Sequence, residues 1–175
     1  TAGHNTVECN GQNQRMNLKP LTYKDSSALD AVGNKAFSSM SAWTEITEGF
    51  RHERSVSYFK ALNGLIVVTD KVQKGDGTSS TQYSYVQNWH SASGSNATVA
   101  SDSYDTGKTA FSSGTNLIIA QASSNSITAT VSGNNFKYTQ KAAGAVCFFI
   151  AIFLGISAYV FLVLFKDNMT AYWAQ

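Results

Sequence analysis

The feature that most restricts this chain is a run of 24 residues, Ala142 to Phe165, that carries no charge ("AAGAVCFFIAIFLGISAYVFLVLF"). So many apolar side chains in succession have to leave water, whether in a bilayer or in a protein core. As an α-helix the run would extend roughly 36 Å at about 1.5 Å per residue, enough to cross a hydrocarbon layer of about 30 Å with some tilt. Lys141 and Lys166 flank it, where their long stems can snorkel to an interface. The competing reading is a buried core helix, but such a helix rarely runs this far without a polar face. The run therefore predicts a single transmembrane helix over 142–165. Residues 137–141 become a juxtamembrane linker and 166–175 a short tail. The C-terminal position excludes a secretory signal peptide.

Charge placement separates this end from the rest. Residues 1–136 hold ten Lys/Arg and ten Asp/Glu, so the formal charge of +2 comes from Lys137, Lys141 and Lys166 set against Asp167. A neutral domain has no Lys/Arg stripe for a phosphate backbone, which argues against a nucleic-acid partner. Residues 75–135 are rich in Ser, Thr, Asn and Gly, and Asn96-Ala97-Thr98 is an N-glycosylation acceptor. A second acceptor, Asn168-Met169-Thr170, follows the apolar run, and the two cannot face one lumen across a single span. These features predict a single-pass membrane protein with its N-terminal domain outside the cytoplasm. The Lys count alone slightly favours the opposite orientation.

Before residue 137 helical periodicity is nearly absent and strand signals are short and many. "NTVEC" ends at the turn dipeptide Asn10-Gly11, and Asn63-Gly64 joins "HERSVSYFK" to "GLIVVTDKV". "KGDG" is expected to close that hairpin before "TQYSYVQNWH" begins. "LIVV" is apolar on consecutive positions, as in a central strand covered on both faces. "QYSYVQNWH" alternates, with Tyr83, Tyr85, Gln87 and Trp89 opposed to Ser84, Val86, Asn88 and His90. "DSSALDAVGNKAF" has the start and stop residues of one brief helix or a loop. The domain over 1–136 thus reads as an all-β, antiparallel β-sandwich of about eight to ten strands.

The chemistry-bearing residues are sparse. His4, His52 and His90 lie too far apart in sequence for any local zinc motif. There is no G-x-S-x-G, and Cys9 has no neighbouring His or Lys to activate it. "KGDGTSS" joins strands and does not open a helix, so it is no phosphate loop. Glu45, Glu48 and Glu53 present no distinct carboxylate pair. Cys9 and Cys147 are not expected to pair, and Cys9 reads as a buried thiol. The mixture in "FRHERSVSYF" and "YSYVQNWH" suits either glycan contact or a plain sandwich with polar outer faces. His52, Arg54 and His90 are the candidate glycan contacts, and no residue is assigned a catalytic role.

"GHNTVECNGQNQ", then "GFRHERSVSYFKALNGLIVVTDKV", then "YVQNWH", in this order, resemble the C-terminal region of heparinase II/III-like polysaccharide lyases. The similarity covers roughly residues 3–90 and becomes diffuse to about 135. It implies a β-sandwich that packs against an N-terminal α/α toroid in enzymes cleaving uronic-acid polysaccharides by β-elimination. Related epimerases share that architecture. In the family the catalytic Tyr, Asn and His residues come mainly from the toroid and from an "H.H.D" segment that has no match here. The resemblance also implies a zinc ligand at His4, with co-ligands supplied from outside this chain. Cys9 stands where the family has an Asp-like position. Two functions follow as expectations. One is the membrane-anchored C-terminal portion of a lyase or epimerase, completed by an upstream fragment or partner chain. The other is a non-catalytic glycan- or protein-binding subunit of a membrane assembly.

Overall fold

In a computed structural model the chain is described over residues 3–14, 22–29, 35–47, 49–60, 65–100, 102, 104–122 and 126–154. Twelve strands occur among these residues: β1 (Val7–Cys9), β2 (Thr22–Leu29), β3 (Lys35–Thr47), β4 (Phe50–Phe59), β5 (Leu65–Lys74), β6 (Gln82–His90), β7 (Thr98–Val99), β8 (Gly107–Lys108), β9 (Leu117–Ala122), β10 (Ile127–Ser132), β11 (Asn135–Ala143) and β12 (Ala145–Leu154). They form a four-stranded sheet, β1-β6-β11-β10, and an eight-stranded sheet, β2-β3-β4-β5-β12-β9-β8-β7. Every pairing is antiparallel. The all-β sandwich architecture expected from turn spacing is present, with more strands than expected.

The apolar run is where the sequence misleads. Ala142 and Ala143 end β11, and Ala145–Leu154 is a strand paired to β5 on one side and β9 on the other. The helical span over 142–165 is therefore overturned through residue 154, and Lys137 and Lys141 stand on β11 instead of in a linker. Residues 155–165, the tail and Asn168 lie outside the described residues. No helix among the described residues is long and apolar enough to cross a membrane. The physical reason is burial on both faces. Val146, Phe148, Ile150 and Ile152 enter the core shared with the small sheet, while Ala151 packs with Leu65, Val67 and Ala120 on the opposite face, against Phe149 and Tyr104. A central strand has no wet face and needs no polar alternation.

The inter-sheet core joins Val7, Cys9, Tyr85, Phe136 and Tyr138 of the small sheet to Ile46, Phe50, Val68, Val72, Val146, Phe148 and Ile150 of the large one. β5 behaves as its "LIVV" run requires, with Val68 and Val72 in that core and Leu65 and Val67 on the far face. β6 turns Tyr85 and Gln87 inward, with Tyr83 and Trp89 packed beside them.

Several local expectations hold and others change. Asn10 (φ 51°) and Gly11 (φ 68°) make the tight turn after β1, closed by Gln12 N–H donating to Cys9 O at 3.0 Å. Strands β4 and β5 form the expected hairpin, although Asn63 and Gly64 lie outside the described residues. "KGDG" does not close a hairpin. It carries the chain from β5 in the large sheet to β6 in the small one. The expected helix or loop in "DSSALDAVGNKAF" is replaced by the ends of β2 and β3, with residues 30–34 outside the described set.

Candidate functional site

Arg54 on β4 and Asp70 on β5 are cross-strand partners, two register positions from the His52–Val72 pair and on the same face. Inward alternation along β5 places Asp70 between Val68 and Val72, where it is 0% exposed. A carboxylate there must be fully hydrogen-bonded to be tolerated. Four donors reach it. His52 Nε2 (2.6 Å) and Arg54 Nε (2.7 Å) meet Oδ1, while Arg54 Nη2 (2.7 Å) and Gln87 Nε2 (2.5 Å) meet Oδ2. That number matches the lone-pair sites of an ionised carboxylate. Because the acceptor is a carboxylate, His52 carries its proton on Nε2.

Burial alone would raise the Asp70 pKa. The hydrogen bonds from Arg54 and His52, together with their charges, outweigh it and hold the carboxyl well below the usual range. Asp70 is thus an anion at neutral pH, and with all its acceptor sites occupied it is not suited to serve as a general base.

The network continues outward through Arg54, whose side chain is 24% exposed. Its Nη1 donates to the Asn5 carbonyl at 2.6 Å, and its guanidinium carbon lies 5.2 Å from the Trp89 ring centroid. Asn5 Oδ1 in turn accepts from the His90 backbone N–H at 2.7 Å. The structure therefore gathers residues that are far apart in sequence. His52 and Arg54 share Asp70, and Asn5 ties the segment after His4 to Arg54 and His90.

Their accessibilities differ. His52 is buried, with Nε2 engaged, so it supports the edge and offers little surface to a glycan. Arg54, Trp89 and His90 are half-buried, and His4 and Asn5 are exposed. Asn96, the glycosylation candidate, is exposed at φ 44°, with Nδ2 donating to Ala110 O at 3.3 Å. Among the described residues no group of three or more His, Cys, Asp or Glu side chains is placed to hold a metal. Zinc needs three or four protein ligands, so these residues do not build a zinc site and His4 would require ligands from outside them.

Sequence reasoning singled out neither Asp70 nor Gln87. Each left a signal: one acidic residue in an apolar strand, and one amide on an aromatic face. An inward polar residue of that kind demands a partner, and the two supply it to each other.

The comparisons with known proteins fit this architecture. The model of the family "Heparinase II/III-like, C-terminal" matches residues 1–150. The chain belongs to this family. The match to the heparinase II/III-like C-terminal domain runs beyond the 3–90 carried by the motifs and into the apolar run, in keeping with β12 as a core strand. Among solved structures the domain resembles a heparinase III (TM-score 0.68, 16% identity, 90% of this chain and 25% of that one). It also resembles a heparinase III with methylated lysines (0.63, 19% identity, 90% and 24%). A third likeness is to a mutant of a heparan sulfate lyase from Pedobacter heparinus (0.61, 14% identity, 87% and 24%). The chain spans about a quarter of the length of these structures, and identities this low speak to fold alone. No curated protein matches the chain.

Proposed function

We propose that this heparinase II/III-like domain is the C-terminal sandwich of a polysaccharide lyase or epimerase acting on uronic-acid glycans. An upstream α/α domain would supply the proton-transfer residues. In β-elimination a base removes the C5 proton, the C4–O bond breaks as the C4=C5 double bond forms, and an acid protonates the leaving oxygen. Nothing in the Asp70 cluster is suited to those proton transfers. What it offers is a pre-ordered polar edge of Arg54, Trp89 and His90 beside the exposed His4–Asn5 segment.

The observation that carries this reading is the enclosure of Asp70 by Arg54, His52 and Gln87 within a domain of this family. It fixes a partly exposed guanidinium at the border of the two sheets. Arg presents donors matched to carboxylates and sugar hydroxyls, and Trp89 adds an aromatic surface.

The test is to incubate the full-length protein with a panel of uronic-acid polysaccharides and follow the ultraviolet absorbance of unsaturated uronate, with C5 hydrogen exchange read for an epimerase. Product formation, and its loss or a raised KM in Arg54→Ala, is expected. Glycan binding without either reaction would overturn the enzyme reading in favour of a binding subunit.

A further inference from the structure

We propose that Asp70 is a positioning residue: acting through Arg54, it fixes where the His4–Asn5–Thr6 turn stands against the end of β6. The turn has little order of its own. His4 and Asn5 are exposed, and the strand that follows, β1, has three residues and lies at a sheet edge. Such segments fray unless they are tied down.

Besides Gln14 Nε2, which donates to Thr6 Oγ1 at 2.7 Å, four bonds tie this one. Thr6 N–H donates to His4 O at 2.9 Å and closes the turn. Asn88 N–H donates to Thr6 O at 2.8 Å, His90 N–H to Asn5 Oδ1 at 2.7 Å, and Arg54 Nη1 to Asn5 O at 2.6 Å. The first three come from the turn itself and from β6. The Arg54 bond alone comes from the opposite sheet, so it sets the turn's distance from β4.

Arg54 cannot supply that constraint by itself, because a free arginine side chain samples many rotamers. Its Nε–Nη2 edge is locked onto Asp70 at two points, and that planar fork leaves Nη1 aimed at Asn5. Asp70 is immobile in its turn, since His52 and Gln87 hold its two oxygens from two different sheets. The order of an exposed backbone carbonyl thus depends on a buried carboxylate that never touches it. The consequence for glycan affinity rests on the function proposed above, whereas the positioning itself rests on the geometry.

Hydrogen–deuterium exchange on the full-length protein tests this, comparing wild type with Asp70→Asn and Arg54→Lys. The lysine keeps a charge beside Asp70 but has no fork to bridge it to Asn5. Arg54→Lys should exchange about tenfold faster at the Thr6 and His90 amides, as for the loss of one charge-assisted hydrogen bond, with the β11 amides changed less. Asp70→Asn should open the same two amides on top of the faster β11 exchange that its loss of global stability brings. A second readout is kinetic: Asp70→Asn should raise KM several-fold for a uronic-acid polysaccharide, with kcat little altered. In Arg54→Lys, unchanged exchange at Thr6 and His90, or an equal rise throughout β11, overturns the proposal. If Asp70→Asn does not fold, Arg54→Lys decides by the same criterion. If wild type forms no product, the functional reading fails while the exchange result still decides the positioning.

Discussion

Both carboxylate oxygens of Asp70 are held by Arg54, Oδ1 at 2.7 Å from Nε and Oδ2 at 2.7 Å from Nη2. A side-on fork of this kind, buried at the carboxylate end, couples the fold to pH. The folded-state pKa of Asp70 lies below its unfolded value, so the pair's contribution is present above about pH 4 and is lost as pH falls below it. Urea midpoints measured from neutral pH downward should show an acid limb that Asp70→Asn flattens. At neutral pH the same substitution should cost about 3–5 kcal/mol, because it leaves the Arg54 charge uncompensated and sets an amide NH2 against the two donors that met one of the carboxylate oxygens. An acid limb of unchanged slope in the variant would assign the effect to another carboxylate.

The strand assignment of the apolar run makes its own demand. Phe148 is 0% exposed and pairs with Asp70 on β5, so Phe148→Ala should destabilise the sandwich by about 3–5 kcal/mol in urea unfolding. A membrane anchor predicts the opposite, a soluble domain indifferent to that position. Truncation before Ala145 should abolish cooperative folding, since β12 is hydrogen-bonded to both β5 and β9.

That contrast shows what could be read in advance. The sandwich was legible because period-two alternation survives in β6, where Tyr85 and Gln87 point inward, and because turn residues such as Asn10-Gly11 punctuate the chain. The sheet assignment of β12 was not legible. Phe149 and Ala151 face a second apolar layer, and a strand buried on both faces is indistinguishable by pattern from a membrane helix. At the site, His52, Arg54 and His90 could be named from their residue types. Asp70 could not, because its role appears only once β4, β5 and β6 are brought together. The "KGDG" turn misled for a related reason: local turn chemistry shows that the chain reverses, and not which sheet it enters.

Gly144 sits between β11 and β12, where the chain passes from one sheet to the other at φ 74°. A Cβ there would lie 2.6 Å from the Gly77 carbonyl oxygen, which is backbone and cannot swing aside. Tyr85 also donates its hydroxyl to Gly144 O at 3.1 Å, so the bend is held from the core. Gly144→Ala should therefore cost about 2–3 kcal/mol or more, combining positive-φ strain with the contact. Gly114→Ala has a similar φ of 89° but open space around the added methyl, and should cost about 1 kcal/mol. Thermal midpoints of the two variants give the comparison, and equal losses would contradict the close approach.

Cys9 tests the same core by chemistry. It is 1% exposed beneath the β1 edge, in no disulfide, and burial, aided by the charge of Glu8, pushes its thiol up to about 12. The reactive species is the thiolate, so native Cys9 should resist a thiol reagent at pH 8 and react only after unfolding. With Cys147→Ala as background, so that a single thiol is counted, labelling should track the urea transition. Cys9→Ser should leave a buried hydroxyl without its hydration and cost about 1–3 kcal/mol, whereas Cys9→Ala should cost less. Rapid labelling of the folded protein would show that the β1 edge opens, and with it the turn that carries His4.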